Sequence, residues 1–146
     1  MPTAIINILK GHDRQKLKQI IRETTDAMHK VLSAPKERLM IWINEIDQDL
    51  WGLAGNPASD ISDFETRKSL EIPFVQMTLM KGRPLEQFHK IMDEISEIIA
   101  RNLEINKSQV RVHIANAEPE LWAIGGVPAS ILRAKELEAR KTEMAK

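Results

Sequence analysis

The sequence predicts an α/β chain of the α+β kind. Two tandem β-α-β units should form one four-stranded mixed sheet with two helices on one face. Three observations predict this. First, the chain matches itself without gaps when displaced by 71 residues, with 14 identities over the 58 positions that pair 2–59 with 73–130, where chance gives only a few. The block Leu50-Trp51-Gly52-Leu53-Ala54-Gly55-Asn56-Pro57-Ala58-Ser59 falls on Leu121-Trp122-Ala123-Ile124-Gly125-Gly126-Val127-Pro128-Ala129-Ser130. Second, each copy opens on a short apolar stretch that ends at a glycine and gives way to helical spacing. Third, a second apolar stretch follows across that helix. Two strands so separated should lie parallel with a right-handed crossover.

The elements follow in order. Residues 4–9 (Ala-Ile-Ile-Asn-Ile-Leu) are apolar and β-branched and suit a strand. Their partners at 74–80 alternate, with Val75, Met77 and Leu79 on one side. Gly11 and Gly82 end these strands. Leu17, Ile20, Ile21, Thr24, Ala27, Met28, Val31 and Leu32 then recur at helical spacing, as do Phe88, Ile91, Met92, Ile95, Ile98, Ile99 and Leu103. Asp13 suits an N-cap, and Pro84 a first helical position. Second strands are expected at 39–46 and 109–115, each leading to a glycine-rich turn after Trp51 or Trp122. Ile41 and Ile43, with Val110, Val112 and Ile114, are expected on the sheet face opposite the helices. That face calls for cover by another chain.

The organisation reads as a first copy at 1–59, a linker at 60–72, a second copy at 73–130 and a helical tail at 131–146 that frays at its end. The two copies should form one compact domain. Lys plus Arg and Asp plus Glu each total 21, so the net charge is zero and a mainly electrostatic grip on nucleic acid or an anionic membrane is not expected. There is no cysteine, which removes disulfides and thiol chemistry and fits a cytoplasmic location. No apolar run is long enough for a membrane span, and no signal peptide is visible. The four histidines, His12, His29, His89 and His113, lack carboxylates at metal-ligand spacing, so no metal site is expected.

Pro2 is the unusual residue. A small residue after the initiator methionine favours its removal, which would leave a secondary amine at the start of a buried strand. Desolvation and nearby cations lower the pKa of such an amine. It could then serve as a general base near neutral pH.

The ordered set of Met-Pro, a short strand, Leu9-Lys10-Gly11, an amphipathic helix, Leu32-Ser33-Ala34-Pro35, a strand ending Asn44-Glu45, and Trp51-Gly52-x-x-Gly55 recurs from Pro73 to Gly126. It resembles the tautomerase superfamily, whose small members resemble 4-oxalocrotonate tautomerase, and the tandem arrangement looks like its fused members. The resemblance implies a tautomerase-like fold and cofactor-independent enol-keto proton transfer on a small unsaturated 2-oxo acid or diacid, such as 2-hydroxymuconate. It also implies a homotrimer. Its base falls on Pro2. Its first arginine position holds His12 in copy one and Arg83 in copy two; its second holds Met40 and Arg111. Its pocket aromatic falls on Trp51 and Trp122. The amine is thus in copy one and both arginines are in copy two.

A decarboxylase, a hydratase or a weak dehalogenase on the same scaffold is the alternative, and a drifted non-catalytic module is another. Fused relatives with dehalogenase activity use a helix histidine, and His29 stands near that position. They also use a tyrosine, which this chain lacks, and an arginine where Met80 stands.

Overall fold

The computed structural model describes residues 2–145. The chain runs β1 (Thr3–Leu9), α1 (Arg14–Leu32), β2 (Met40–Ile46), a small hairpin of β3 (Gly52–Leu53) and β4 (Asn56–Pro57), then α2 (Phe64–Leu70). The second copy runs β5 (Phe74–Met80), α3 (Leu85–Leu103), β6 (Arg111–Ala117), and a hairpin of β7 (Ala123–Ile124) and β8 (Val127–Pro128). Helices α4 (Ala129–Leu132) and α5 (Ala134–Ala145) end it. The frayed end expected for the tail falls on Lys146, outside the described residues.

The main sheet has the order β2-β1-β5-β6. The strands within each copy pair in parallel, and β1 meets β5 antiparallel, with Thr3 opposite Thr78 and Asn7 opposite Phe74. The sheet is therefore mixed, and a pseudo-twofold between β1 and β5 relates the copies. As expected, both long helices cover one face. Ile6, Ile8, Val75, Met77 and Leu79 meet Ile20, Met28, Ile91, Ile95 and Ile99 in one core. Full burial of each such side chain contributes roughly 1.5–3 kcal/mol.

Local chemistry sets the ends of the elements. Asp13 caps α1 by accepting a 3.0 Å hydrogen bond from Gln15 N–H. Gly11 and Gly82 hold φ of +129° and +112°, a region that L side chains rarely adopt, so each strand-to-helix turn depends on glycine. Both long helices end on a left-handed residue, Ser33 (φ 52°) and its counterpart Glu104 (φ 56°).

Three expectations need correction. Pro84 is the N-cap of α3, and Leu85 is the first helical residue. The second strand of copy two spans 111–117, because 107–109 form a 3₁₀ turn under a capping box in which Asn106 and Gln109 satisfy each other's ends. Ile41, Ile43, Val112 and Ile114 do not lie on the bare sheet face; they pack with Val110 against the helix-side core. The alternate residues carry the bare face. Met40, Trp42 and Phe74 lie there, 45%, 40% and 37% exposed, beside Asn7, Asn44, Gln76, Arg111 and His113. A hydrogen-bond chain crosses it, from Asn44 to Asn7 at 3.1 Å and from Asn7 to Gln76 at 3.1 Å.

Candidate active site at Pro2

Pro2 is buried at the head of β1, and its carbonyl accepts a 3.0 Å hydrogen bond from Met40 N–H, which ties it to β2. Because β1 and β5 are antiparallel, the head of β1 lies beside the end of β5. Met80 and the following turn, Lys81-Gly82-Arg83, thus come from copy two to meet Pro2 of copy one.

Arg83 is 8% exposed. Its Nη1 donates 2.6 Å to the carbonyl of Leu32, the last residue of α1. Terminal carbonyls of a helix lack intrahelical partners and carry the negative end of its dipole, so a cation is stabilised there. Its Nε is buried without a hydrogen-bond partner. Burial, and then the nearby Arg140, push the Arg83 guanidinium down to about 10.

Pro2 and Arg83 line one cavity of about 70 Å³. The left-handed turn Ser33-Ala34-Pro35 lines it from copy one, and Met80 and Ile124 from copy two. Arg38 also lines it, as do Arg133, Glu136, Leu137 and Arg140 from the C-terminal segment. Arg38 Nη1 donates to both carboxylate oxygens of Glu136, at 3.0 and 3.1 Å. The lining holds four arginines against a single carboxylate, so the cavity has a local cationic excess that the neutral net charge conceals. Such an excess attracts an anion and disfavours a further positive charge on Pro2.

The other expected site residues are placed as follows. Arg111 is not at this cavity in the single chain. It opens β6 opposite Phe74, which lies opposite Asn7, five residues along β1 from Pro2 and so about 16 Å away along the strands. Arg111 lies on the bare sheet face, and its Nη1 donates 2.6 Å to its own segment at the Ser108 carbonyl. Trp51 packs on Leu9, Leu53 and Ala58, beyond the far end of β1. Trp122 is half-buried in the turn nearer Pro2, where its carbonyl accepts 2.7 Å from Ala129 N–H. The cavity is lined by Ile124 of that turn instead. His29 is exposed, and its Nδ1 donates 2.7 Å to the Ala34 carbonyl. It braces the cavity turn and is not among the residues that line the cavity of the single chain.

Sequence reading missed Arg38, Arg133, Glu136 and Arg140. Arg38 was legible as a cation three residues past the Ala34-Pro35 turn. The tail residues carried no signal, because only the docking of α5 brings them to Pro2.

The pseudo-twofold supplies an internal comparison. Displacing Met80 and Arg83 by 71 residues gives Leu9 and His12. Glu71, 1% exposed, sits between these two. Its carboxylate accepts 3.0 Å from Leu9 N–H and 2.8 Å from His12 Nε2. A carboxylate thus occupies the counterpart of the place beside Met80 and Arg83. Among the described residues, no group of three or more His, Cys, Asp or Glu could hold a metal ion, and no helix is long and apolar enough to cross a membrane.

Comparison with known proteins agrees with the duplicated fold. The family described as Tautomerase enzyme matches residues 2–61 and again 73–130. The 2-hydroxymuconate tautomerase of Pseudomonas fluorescens is 37% identical over 62 residues, which cover 42% of this chain and 98% of that protein. The 2-hydroxymuconate tautomerase of Comamonas testosteroni is 31% identical over 61 residues, covering 42% and 97%. Each such relative thus has the length of one copy. Among solved structures, a native fused 4-OT superposes with a TM-score of 0.78 at 27% identity, covering 90% of this chain and 98% of that one. A fused 4-OT solved as an asymmetric trimer gives 0.75 at 25% identity, covering 89% and 98%. With two matched segments that together span most of its length, the chain belongs to the tautomerase family and carries its β-α-β unit twice.

Proposed function

We propose that the protein is a cofactor-independent tautomerase of a small unsaturated 2-hydroxy or 2-oxo acid, with the Pro2 amine as general base after removal of Met1. The observation that carries this reading is the meeting of Pro2 and Arg83 in one cavity with a cationic excess. The Pro2 nitrogen takes the proton from the enol hydroxyl as the carbonyl forms. It then delivers a proton to the vinylogous carbon, so the amine ends as it began. The surrounding guanidinium groups disfavour its protonated form, so the proton it takes up is readily passed on. Arg83 binds the substrate carboxylate with a planar fork and stabilises charge developing on the oxygen. The Glu71 carboxylate, bonded at the duplicate position, supports that role.

Arg111 completes the site only from a neighbouring chain. Its place on the bare sheet face, next to exposed Phe74 and Trp42 on the same face, suits that donation. The trimer seen in a fused 4-OT is the assembly we propose here.

Two measurements test the reading together. Intact mass of the purified chain should lack Met1, and the protein should convert 2-hydroxymuconate to its 2-oxo isomer. Pro2→Ala and Arg83→Ala should each lower kcat/KM by about 100-fold or more. A retained Met1 with undiminished turnover, or unchanged rates in both variants, would refute it.

A further inference from the structure

A second cavity, of about 60 Å³, lies past the far end of β1, where the segment joining the copies packs. Lys10, His12 and Gln48 line it from copy one, and Arg67, Lys68 and Glu71 line it from α2 and the residue after it. Its arginine is not a repeat of the one beside Pro2. Displacing Arg67 and Lys68 by 71 residues gives Glu138 and Ala139, and the duplicate of Arg83 is His12. This end has therefore acquired an arginine of its own, from α2.

Arg67 is incompletely satisfied. Its Nη1 donates 2.8 Å to Gln48 Oε1, and Gln48 Nε2 in turn donates 3.1 Å to the Lys10 carbonyl. Its Nε is buried and has no hydrogen-bond partner. Among the described residues one other arginine has such an atom, Arg83 in the Pro2 cavity. A buried donor on a charged group is costly to leave unpaired, and proteins fill such a place with water or an ion.

The charges favour an anion. Lys10, Arg67 and Lys68 line the cavity against one carboxylate, Glu71. Both Glu71 oxygens are taken, by Leu9 N–H and by His12 Nε2. Lys68 Nζ stands 3.5 Å from the exposed Glu104 carboxylate, which is outside the lining. Asp63 feels the charge of Arg67, but its carboxylate caps α2 through Thr66 N–H and Oγ1. Among the described residues, no carboxylate lies within 4.0 Å of Lys10 or Arg67. The volume fixes the size of the occupant. It is about that of two liquid waters, well below the roughly 300–1,000 Å³ of ordinary organic ligand sites.

We propose that this cavity binds a small inorganic oxyanion of the phosphate or sulfate kind, held by the Nε edge of Arg67 and neutralised by Lys10 and Lys68. The planar edge of a guanidinium matches two oxygens of a tetrahedral anion. Bound there, the anion ties α2 to the end of β1 and so fastens the linker to the first copy. The site does not depend on the reaction at Pro2.

The test follows the arginine Nε–H groups of the full chain by isotope-edited NMR, with the Arg67 signal identified by its loss in Arg67→Lys. Inorganic phosphate, and separately sulfate, is titrated at an ionic strength held constant with chloride. Each should move the Arg67 Nε–H signal saturably. Lys10→Gln should weaken the affinity read from that signal about threefold to tenfold. Arg83→Ala, which alters the other cationic cavity, should leave it within about twofold. So should Lys135→Gln, the same charge change outside both cavities. An Arg67 signal that is absent, or unmoved by either anion, would mean water or chloride alone and overturn the proposal. Weakening by Arg83→Ala or Lys135→Gln as large as that by Lys10→Gln would also overturn it, by placing the anion elsewhere or making its effect one of general charge.

Discussion

The two ends of the sheet are built from one repeated unit and have opposite contents. At the head of β1, Pro2 lines a cavity with four arginines and one carboxylate, and α5 reaches it with Glu136, Leu137 and Arg140, tied to Arg38 by an ion pair. At the head of β5, two residues before Pro73, Glu71 turns its carboxylate inward onto Leu9 N–H and His12. Gln109 of copy two locks that segment with bonds from its Nε2 to the carbonyls of Lys68 and Glu71, at 3.0 and 2.9 Å. One end sets a carboxylate of its own chain beside its histidine, whereas at the other end Arg83 donates to the Leu32 carbonyl instead. After duplication, a carboxylate cradle can serve as a structural joint or a binding site, depending on whether the chain supplies the anion. Pro73 could not act as a base in either case, because its nitrogen lies in a peptide bond.

The largest effect should come from exchanging the roles of the ends. Arg83→Ala is expected to cost about 100-fold or more in kcat/KM, whereas His12→Ala, its duplicate, should leave kcat/KM within about threefold and lower the unfolding midpoint in denaturant. Loss of activity in both would mean that the closed end also takes part in turnover.

Next comes Arg111→Ala. If a neighbouring chain donates this residue, kcat/KM should fall about 10- to 100-fold with the thermal midpoint unchanged, since its one hydrogen bond lies within its own segment. Mixed oligomers of Pro2→Ala chains with Arg111→Ala chains should then recover part of the activity, because some interfaces regain both residues. No recovery would place Arg111 outside the site.

Glu71→Ala should destabilise the chain by about 2–4 kcal/mol in urea unfolding, because it leaves the buried Leu9 N–H and the half-buried His12 ring without their partner. Turnover at the Pro2 end should survive in the fraction that is folded. A neutral effect on stability would show that the closed end is no structural joint.

The smallest effect concerns the helix layer that both ends share. Glu23 of α1 accepts 2.6 Å hydrogen bonds from Arg101 and from Asn102 of α3. Desolvation raises its pKa, but these bonds outweigh it and hold the carboxylate below its ordinary value of 4.5. A depressed carboxylate pKa stabilises the fold fully above the unfolded value, and that stabilisation is lost as pH falls from about 4.5 through the folded value. The pair is partly exposed, so the loss should stay below about 1 kcal/mol. Unfolding of the parent and Glu23→Gln from pH 6 to pH 3 should show a shallower acid slope in the variant.

The fold was largely legible in the chain. The repeat at 71 residues, the alternation of Val75, Met77 and Leu79, and the spacing of Ile91, Ile95 and Ile99 reflect local periodicity and duplication, which need no tertiary knowledge. The same repeat put Pro2 and Arg83 in different copies, and both line one cavity in the structure. Helix α2 was not anticipated within the 60–72 linker, although Asp63 caps it by accepting from Thr66 N–H at 3.1 Å. A seven-residue helix is too short to show periodicity. The sheet faces of Ile41 and Val112 were misjudged because period-two spacing shows that alternate residues share a face, without saying which face meets the helices.

By itself, then, the sequence determined the two β-α-β copies, the parallel pairing within each, and the division of Pro2 and the two arginines, Arg83 and Arg111, between them. Local propensity, helical spacing and the ban on short parallel connections suffice for all three. Only the tertiary structure decided that Glu71 closes one end, that Arg38 and Arg140 enter the other, and that Arg111 points away from Pro2 within its own chain. These depend on where segments dock after the sheet has formed. Such docking is set by burial and charge across residues far apart in the chain, which no local pattern encodes.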